Sequence, residues 1–175
     1  MLAIPFLLPM KKAILPLFAA LSVLGVCLFT TAHGQADKPK PLRVLVVAGG
    51  CCHDYASQSQ ILKEGIEARL NAVVDVVFNE DKTTKATFPI YESDEWAKDF
   101  DVILHDECSA DVTDRAYVGR ILKAHREGKP AVNLHCAMHS YRGSNFREPV
   151  ATGAANAGWY EMLRLQHTGH GPPSP

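Results

Sequence analysis

The sequence has no run of five lysines or arginines, and its formal charge is −1 at pH 7. Nucleic-acid binding depends on a cationic surface that neutralises phosphates, so that class is set aside. No CxxC pair occurs among the five cysteines, which excludes a zinc ribbon, and no HExxH segment occurs. Charged residues make up only 21% against 47% hydrophobic, too little charge for intrinsic disorder and enough apolar side chain for a core. A chain of 175 residues then suits one α/β domain.

The apolar stretch Ala13 to Phe29 falls short of the ~20 residues that cross a bilayer and is interrupted by Pro16. It follows Lys11 and Lys12 and ends in the small, polar TTAHGQAD, the pattern of a secretory signal peptide. Residues 1–34 are read as that signal, with cleavage after Gly34 or Ala36, and residues 35–41 as a linker. The expected location is periplasmic or secreted, with membrane contact only through the signal before cleavage. Cleavage removes two lysines and no acid, leaving a mildly acidic exported form.

Cys27 leaves with the signal, and Cys51, Cys52, Cys108 and Cys136 remain. An even number in an oxidising compartment permits disulfides in three connectivities. A bridge between adjacent Cys51 and Cys52 would be strained, so a pair such as Cys52 with Cys136 is the easier one to build.

From Leu42 onward strand and helix alternate. LRVLVVA (42–48), VVDVVF (73–78), DVILH (101–105) and PAVNLH (130–135) are short, branched runs that read as strands. Between Ser57 and Asn71, Ile61, Leu62, Ile66 and Leu70 form a helical stripe. A second helix, capped by Asp111 or Thr113, places Val118, Ile121, Leu122 and His125 on one face and ends at Gly128 and Pro130. Residues 79–100 are polar and weakly patterned. The alternation implies a doubly wound, mainly parallel sheet.

Ligands of such sheets bind beyond the carboxyl ends of the strands, where strand order reverses. Those ends carry Cys51, Cys52, His53, Asp54 and Tyr55 after the first strand, and His105, Asp106, Glu107 and Cys108 after the third. The fourth brings His135 and Cys136, with His139 four residues on. Three segments thus deliver imidazoles and carboxylates to one edge, and His53, His105 and His135 are expected in one pocket. His125, on a helix, is left out.

VLVVAGGCCHDY with Gln58, the DVILHDE strand, the helix ending in EGKP, NLHCAMHSYR and the late LRLQHTGHGP together resemble the ThuA-like family, named from trehalose utilisation. The resemblance spans about residues 42–172 of a domain set at 42–175. It implies a flavodoxin-like sheet sandwiched by helices, similar to class I glutamine amidotransferases, and a role in carbohydrate metabolism. Such domains generally continue beyond the GHGP region, so a C-terminally incomplete member with an open sheet edge, and a homodimer covering it, are both expectations here.

In the amidotransferases the corresponding strand leads to a sharp turn bearing a nucleophilic Cys. Counting from Pro130 puts His135 there and Cys136 one residue late; Asn133 and Ala137 replace the turn glycines, and no His-x-Glu follows. Glutamine hydrolysis is therefore not expected. An imidazole titrating near ~6.5 suits proton transfer instead.

The leading expectation is a hydrolase or isomerase acting on a small-molecule carbohydrate, a sugar or oxidised sugar, with His135 as acid/base and Asp54 or Asp106 orienting it. His53, Tyr55, His105, Glu107, His139 and His170 would bind substrate, and a carboxylate pair drawn from Asp54, Asp106 and Glu107 is a further option. No cofactor is specified; a divalent metal is one alternative, with His53, His105 and His135 as candidate ligands, and a non-catalytic sugar-binding or scaffold module is another. Tyr55, Tyr141, Trp159 and Tyr160 could stack on sugar rings, although Trp159 on a helix with Met162 and Leu163 fits core packing better.

Overall fold

A computed structural model describes residues 38–143, 147–169 and 171, with one compact unit from Pro39 onward. The segment read as a signal peptide and His170 lie outside the described residues. Strands β1 (Leu42–Gly50), β2 (Ala72–Asn79), β3 (Val102–Cys108) and β4 (Ala131–Asn133) form one sheet in the order β2-β1-β3-β4, every neighbouring pair parallel. This is the expected α/β, flavodoxin-like arrangement, with its reversal of order between β1 and β3.

Helix α1 (Tyr55–Glu67) covers one face and α2 (Arg115–Arg126) the other, joined there by the short α3 (Gly158–Leu163). Side chains alternate along each strand, so β1 sends Val44, Val46 and Ala48 towards α1, and Leu45 and Val47 towards α2. The α2 layer holds most of the aromatic mass: Phe88, Tyr91, Trp96, Tyr117, Tyr141, Trp159 and Tyr160 are all buried there. Phe88, Tyr91 and Trp96 come from the stretch that reads as polar, where a short 3-10 helix, Pro89–Glu92, tucks its apolar residues under α2. Trp159 is 1% exposed, the core role expected of it.

Three local expectations need correction. The α1 stripe is narrower than its spacing suggests, because Ile61 and Leu70 are exposed and only Leu62 and Ile66 pack against the sheet. Helix α2 is capped by Asp114, whose carboxylate accepts from the Tyr117 N–H at 2.8 Å; Asp111 is instead tied by backbone and side chain to Thr84. Strand β3 runs three residues past its expected end and β4 stops after three residues. His105, Asp106, Glu107 and Cys108 are therefore sheet residues, paired with Val47, Ala48, Gly49 and Gly50 of β1.

Gly49 and Gly50 make that pairing feasible. Gly50 has φ +92°, and a Cβ there would stand 2.3 Å from the carbonyl oxygen of Cys108. Only glycine lets the two backbones approach so closely in this conformation.

Candidate functional site

Because β3 alternates, its last four residues divide between two layers. Asp106 and Cys108 face α1, whereas His105 and Glu107 face the aromatic core under α2. The sequence groups all four at one edge; the sheet separates them, so His105 and Glu107 do not share a pocket with His53 and His135. Both are 0% exposed.

On the α1 side, β1 ends in a tight turn at Cys51–Asp54 and β4 in a 3-10 helix, His135–His139. That second turn is locked to β3: the Leu134 N–H donates to the His105 carbonyl at 2.9 Å, and Ser140 Oγ donates to the Glu107 carbonyl at 2.8 Å. Trp159 Nε1 donates to the Ala137 carbonyl at 2.8 Å from the opposite layer. None of His135 to His139 has positive φ, so the turn lacks the strained backbone of a nucleophile elbow.

Between these turns lies a cavity of about 370 Å³ lined by His53, Gln58, Ile61, Leu62, Asp106, Leu134, His135 and Cys136. The His53 and His135 rings stand edge to face, 6.1 Å between centroids. Asp106 is 4% exposed and its Oδ2 has no hydrogen-bond partner among the described residues. Burial, then Glu107 and Cys136, push its carboxyl up to about 7, while His53 works the other way. Gln58 Oε1 is likewise buried without a partner.

Other expected site residues have structural roles. Asp54 caps α1, accepting from the Ser57 N–H at 3.1 Å and Ser57 Oγ at 2.7 Å, bonds that hold its carboxyl below the ordinary value; it does not orient His135. Tyr55 is 3% exposed and donates to the Cys51 carbonyl at 3.1 Å, so it presents no ring to a ligand. Tyr141, Trp159 and Tyr160 are also buried, which removes them as stacking platforms. His139 is 7% exposed, its ring 5.5 Å from that of His135 and 4.2 Å from that of His167, and burial followed by His167 lowers it to about 4.

The cysteines depart most from expectation. Cys51 is bonded to Cys52, and Cys108 and Cys136 are free and buried. Cys52, with φ +90°, lies in the turn that carries this bridge. Cys108 Sγ lies 3.4 Å from Cys51 Sγ and within 4.8 Å of Cys136 Sγ, and Cys136 Sγ is 3.5 Å from His135 Nδ1. The Cys108 thiol beside it, and then His135, hold Cys136 down at about 4, and the same proximity together with burial pushes Cys108 up.

Possible metal-holding groups follow from this crowding. Among the described residues, ligand atoms converge within 4.8 Å in the sets His53, His135, Cys136 and Cys108, Cys136, His139, and in Cys51, Cys52, Cys108, of which two are bridged. His105 belongs to none of them, which removes it from the expected ligand trio.

The buried side of β3 holds a network the sequence did not announce. Glu107 Oε1 accepts from Tyr91 OH at 3.2 Å and Tyr141 OH at 3.1 Å and lies 2.8 Å from His105 Nδ1. His125, set apart in the sequence as a helix residue, completes it. A signal for it exists: His125 stands on the same α2 face as Ile121 and Leu122, and a polar residue on a buried face needs a partner. No protein-family model, curated protein or solved structure matches the chain.

Proposed function

We propose that this chain is an exported ThuA-like domain whose cavity at the strand-order reversal binds a sugar or oxidised sugar and moves a proton on it, in a hydrolase- or isomerase-type reaction. The observation that carries the reading is Asp106: a buried carboxyl on the cavity wall with an oxygen that no protein group satisfies among the described residues. A hydroxyl-bearing ligand supplies the missing partner. The residues around it suit such a ligand, since Ile61, Leu62 and Leu134 give an apolar wall for the C–H face of a ring and Gln58 offers an unpartnered amide oxygen for a hydroxyl. The cavity volume falls in the range of small-molecule sites.

In this mechanism Asp106 takes or gives the proton, His135 serves as the opposing acid/base, and His53 orients the ligand and biases Asp106 electrostatically. Asp106 takes the leading role in place of Asp54, which is occupied as a cap.

The experiment is a thermal-shift screen of the full chain against mono- and disaccharides and sugar acids, followed by turnover on any that bind. Asp106→Asn should retain the melting shift and lose ~10²-fold or more in turnover. Binding without turnover in the parent protein would favour a sugar-binding module, and no shift with any sugar would end the reading. Export is checked separately, by the N-terminus of protein recovered outside the cytoplasm, which should begin at residue 35 or 37.

A further inference from the structure

We propose that Cys51, Cys52, Cys108 and Cys136 form a thiol–disulfide exchange relay, in which the bridge passes from the surface pair Cys51–Cys52 to the buried pair Cys108–Cys136, with Cys52 as the sulfur open to small external thiols. The inference is independent of the sugar reading. Four sulfurs from three separate segments meet here: a disulfide on the turn after β1, a thiol at the end of β3 and a thiol on the turn after β4.

Their order matches a relay. Cys52 is exposed, Cys51 half-buried, and Cys108 and Cys136 are 1% and 3% exposed, so the outer pair meets solvent and the inner pair does not. Cys108 Sγ is 3.4 Å from Cys51 Sγ, and Cys136 Sγ lies within 4.8 Å of Cys108 Sγ. Exchange proceeds by attack of a thiolate on a disulfide sulfur, and each acceptor here has an attacking sulfur beside it.

The first step forms the Cys108–Cys51 bond and breaks Cys51–Cys52. Cys52 leaves as a thiolate into solvent and takes up the proton that Cys108 releases. In the second step Cys136, as the thiolate beside His135 Nδ1 at 3.5 Å, attacks Cys108 and releases Cys51 as a thiolate. Both departing thiolates regain protons, so one disulfide and two thiols become one disulfide and two thiols. No outside oxidant or reductant enters.

The test uses full-length oxidised protein, equilibrated, quenched in acid, alkylated, digested and mapped by mass spectrometry. Peptides linked through Cys51–Cys108 or Cys108–Cys136 should appear beside Cys51–Cys52. Cys52→Ser removes the competing partner, so reoxidation of this variant with a small disulfide should give Cys51–Cys108 or Cys108–Cys136 as the main product. Because Cys108 is buried, the deciding variant is Cys52→Ser, whose position is exposed. Cys51–Cys52 as the only bridge in the parent, together with Cys108 and Cys136 still free in reoxidised Cys52→Ser, would overturn the relay.

Discussion

Nε2 of His105 and Nε2 of His125 stand 2.9 Å apart in the buried layer under α2, and only one can donate to the other. The direction is fixed from outside the pair. His125 Nδ1 lies 2.9 Å from the Lys129 carbonyl, which only accepts, so a neutral His125 holds its proton on Nδ1 and offers Nε2 as acceptor. His105 is therefore the donor, and its Nδ1 lies 2.8 Å from Glu107 Oε1. The chain from Tyr91 and Tyr141 through Glu107, His105 and His125 to Lys129 is continuous.

Breaking this chain at its centre should be costly. Glu107→Ala leaves His105 and two tyrosine hydroxyls buried without their acceptor, and losing one partner of a buried pair typically costs about 3–5 kcal/mol. Urea unfolding of the variant should show a loss of that order. A loss below ~1 kcal/mol would mean that the network contributes little.

Acid should weaken the fold through His125. Burial first, and then His105, hold its imidazole below the ordinary 6.5. A depressed folded value means the unfolded chain binds more protons, so this contribution is fully present above 6.5 and is lost as pH falls through the lowered value. The His125 share of stability should therefore drop as pH falls below 6.5, by at most ~1.4 kcal/mol per pH unit, against the opposite contribution of Asp106, whose carboxyl is raised to about 7 and which gains stability over the same fall. The stability difference between the parent and His125→Gln in urea should therefore change with pH below 6.5, whereas the Asp106 and His139 contributions are common to both proteins. An unchanged slope in the variant would count against the assignment.

Asp54 should behave as a cap and not as a catalyst. Asp54→Ala is expected to lower Tm by a few degrees, because the Ser57 N–H at the start of α1 loses its acceptor. Asp54→Ser, which restores a capping oxygen, should recover most of the loss. Turnover on any sugar substrate should be unaffected at saturating substrate, and a large fall would return Asp54 to the chemistry.

Two glycines give an internal control on backbone crowding. Gly50 and Gly128 have similar φ, +92° and +100°, but a Cβ on Gly128 meets nothing within 4 Å whereas one on Gly50 collides with the Cys108 carbonyl. Gly128→Ala should cost about 1–3 kcal/mol from conformation alone. Gly50→Ala should cost clearly more, since β1 must move from β3. Equal losses in urea melts would show that the close approach is easily relaxed.

The sheet is legible in the sequence because buried parallel strands write themselves as branched apolar runs, and LRVLVVA could be little else. The end of β3 is not, because His105, Asp106, Glu107 and Cys108 look like a loop. They remain in the sheet through their pairing with β1, which a local window does not contain. The aromatic contribution of Phe88, Tyr91 and Trp96 is hidden for a related reason: each sits among polar residues without a helical or strand period, and only α2 reveals why they are buried. Within the site, the strand ends bring His53, Asp106 and His135 together in the sequence reading, and all three do line one cavity. His105 and Glu107 join them by chain position alone, and two-residue periodicity places that pair on the other side.

The alternation along β3 makes its length more constrained than its composition. Deleting one residue just before His105 would rotate everything after it by half a turn, delivering a carboxyl and a thiol into the aromatic layer and an imidazole and a second carboxyl into the sulfur-rich one. Point substitutions can adjust either set without disturbing its counterpart, whereas an insertion or deletion there would damage both together.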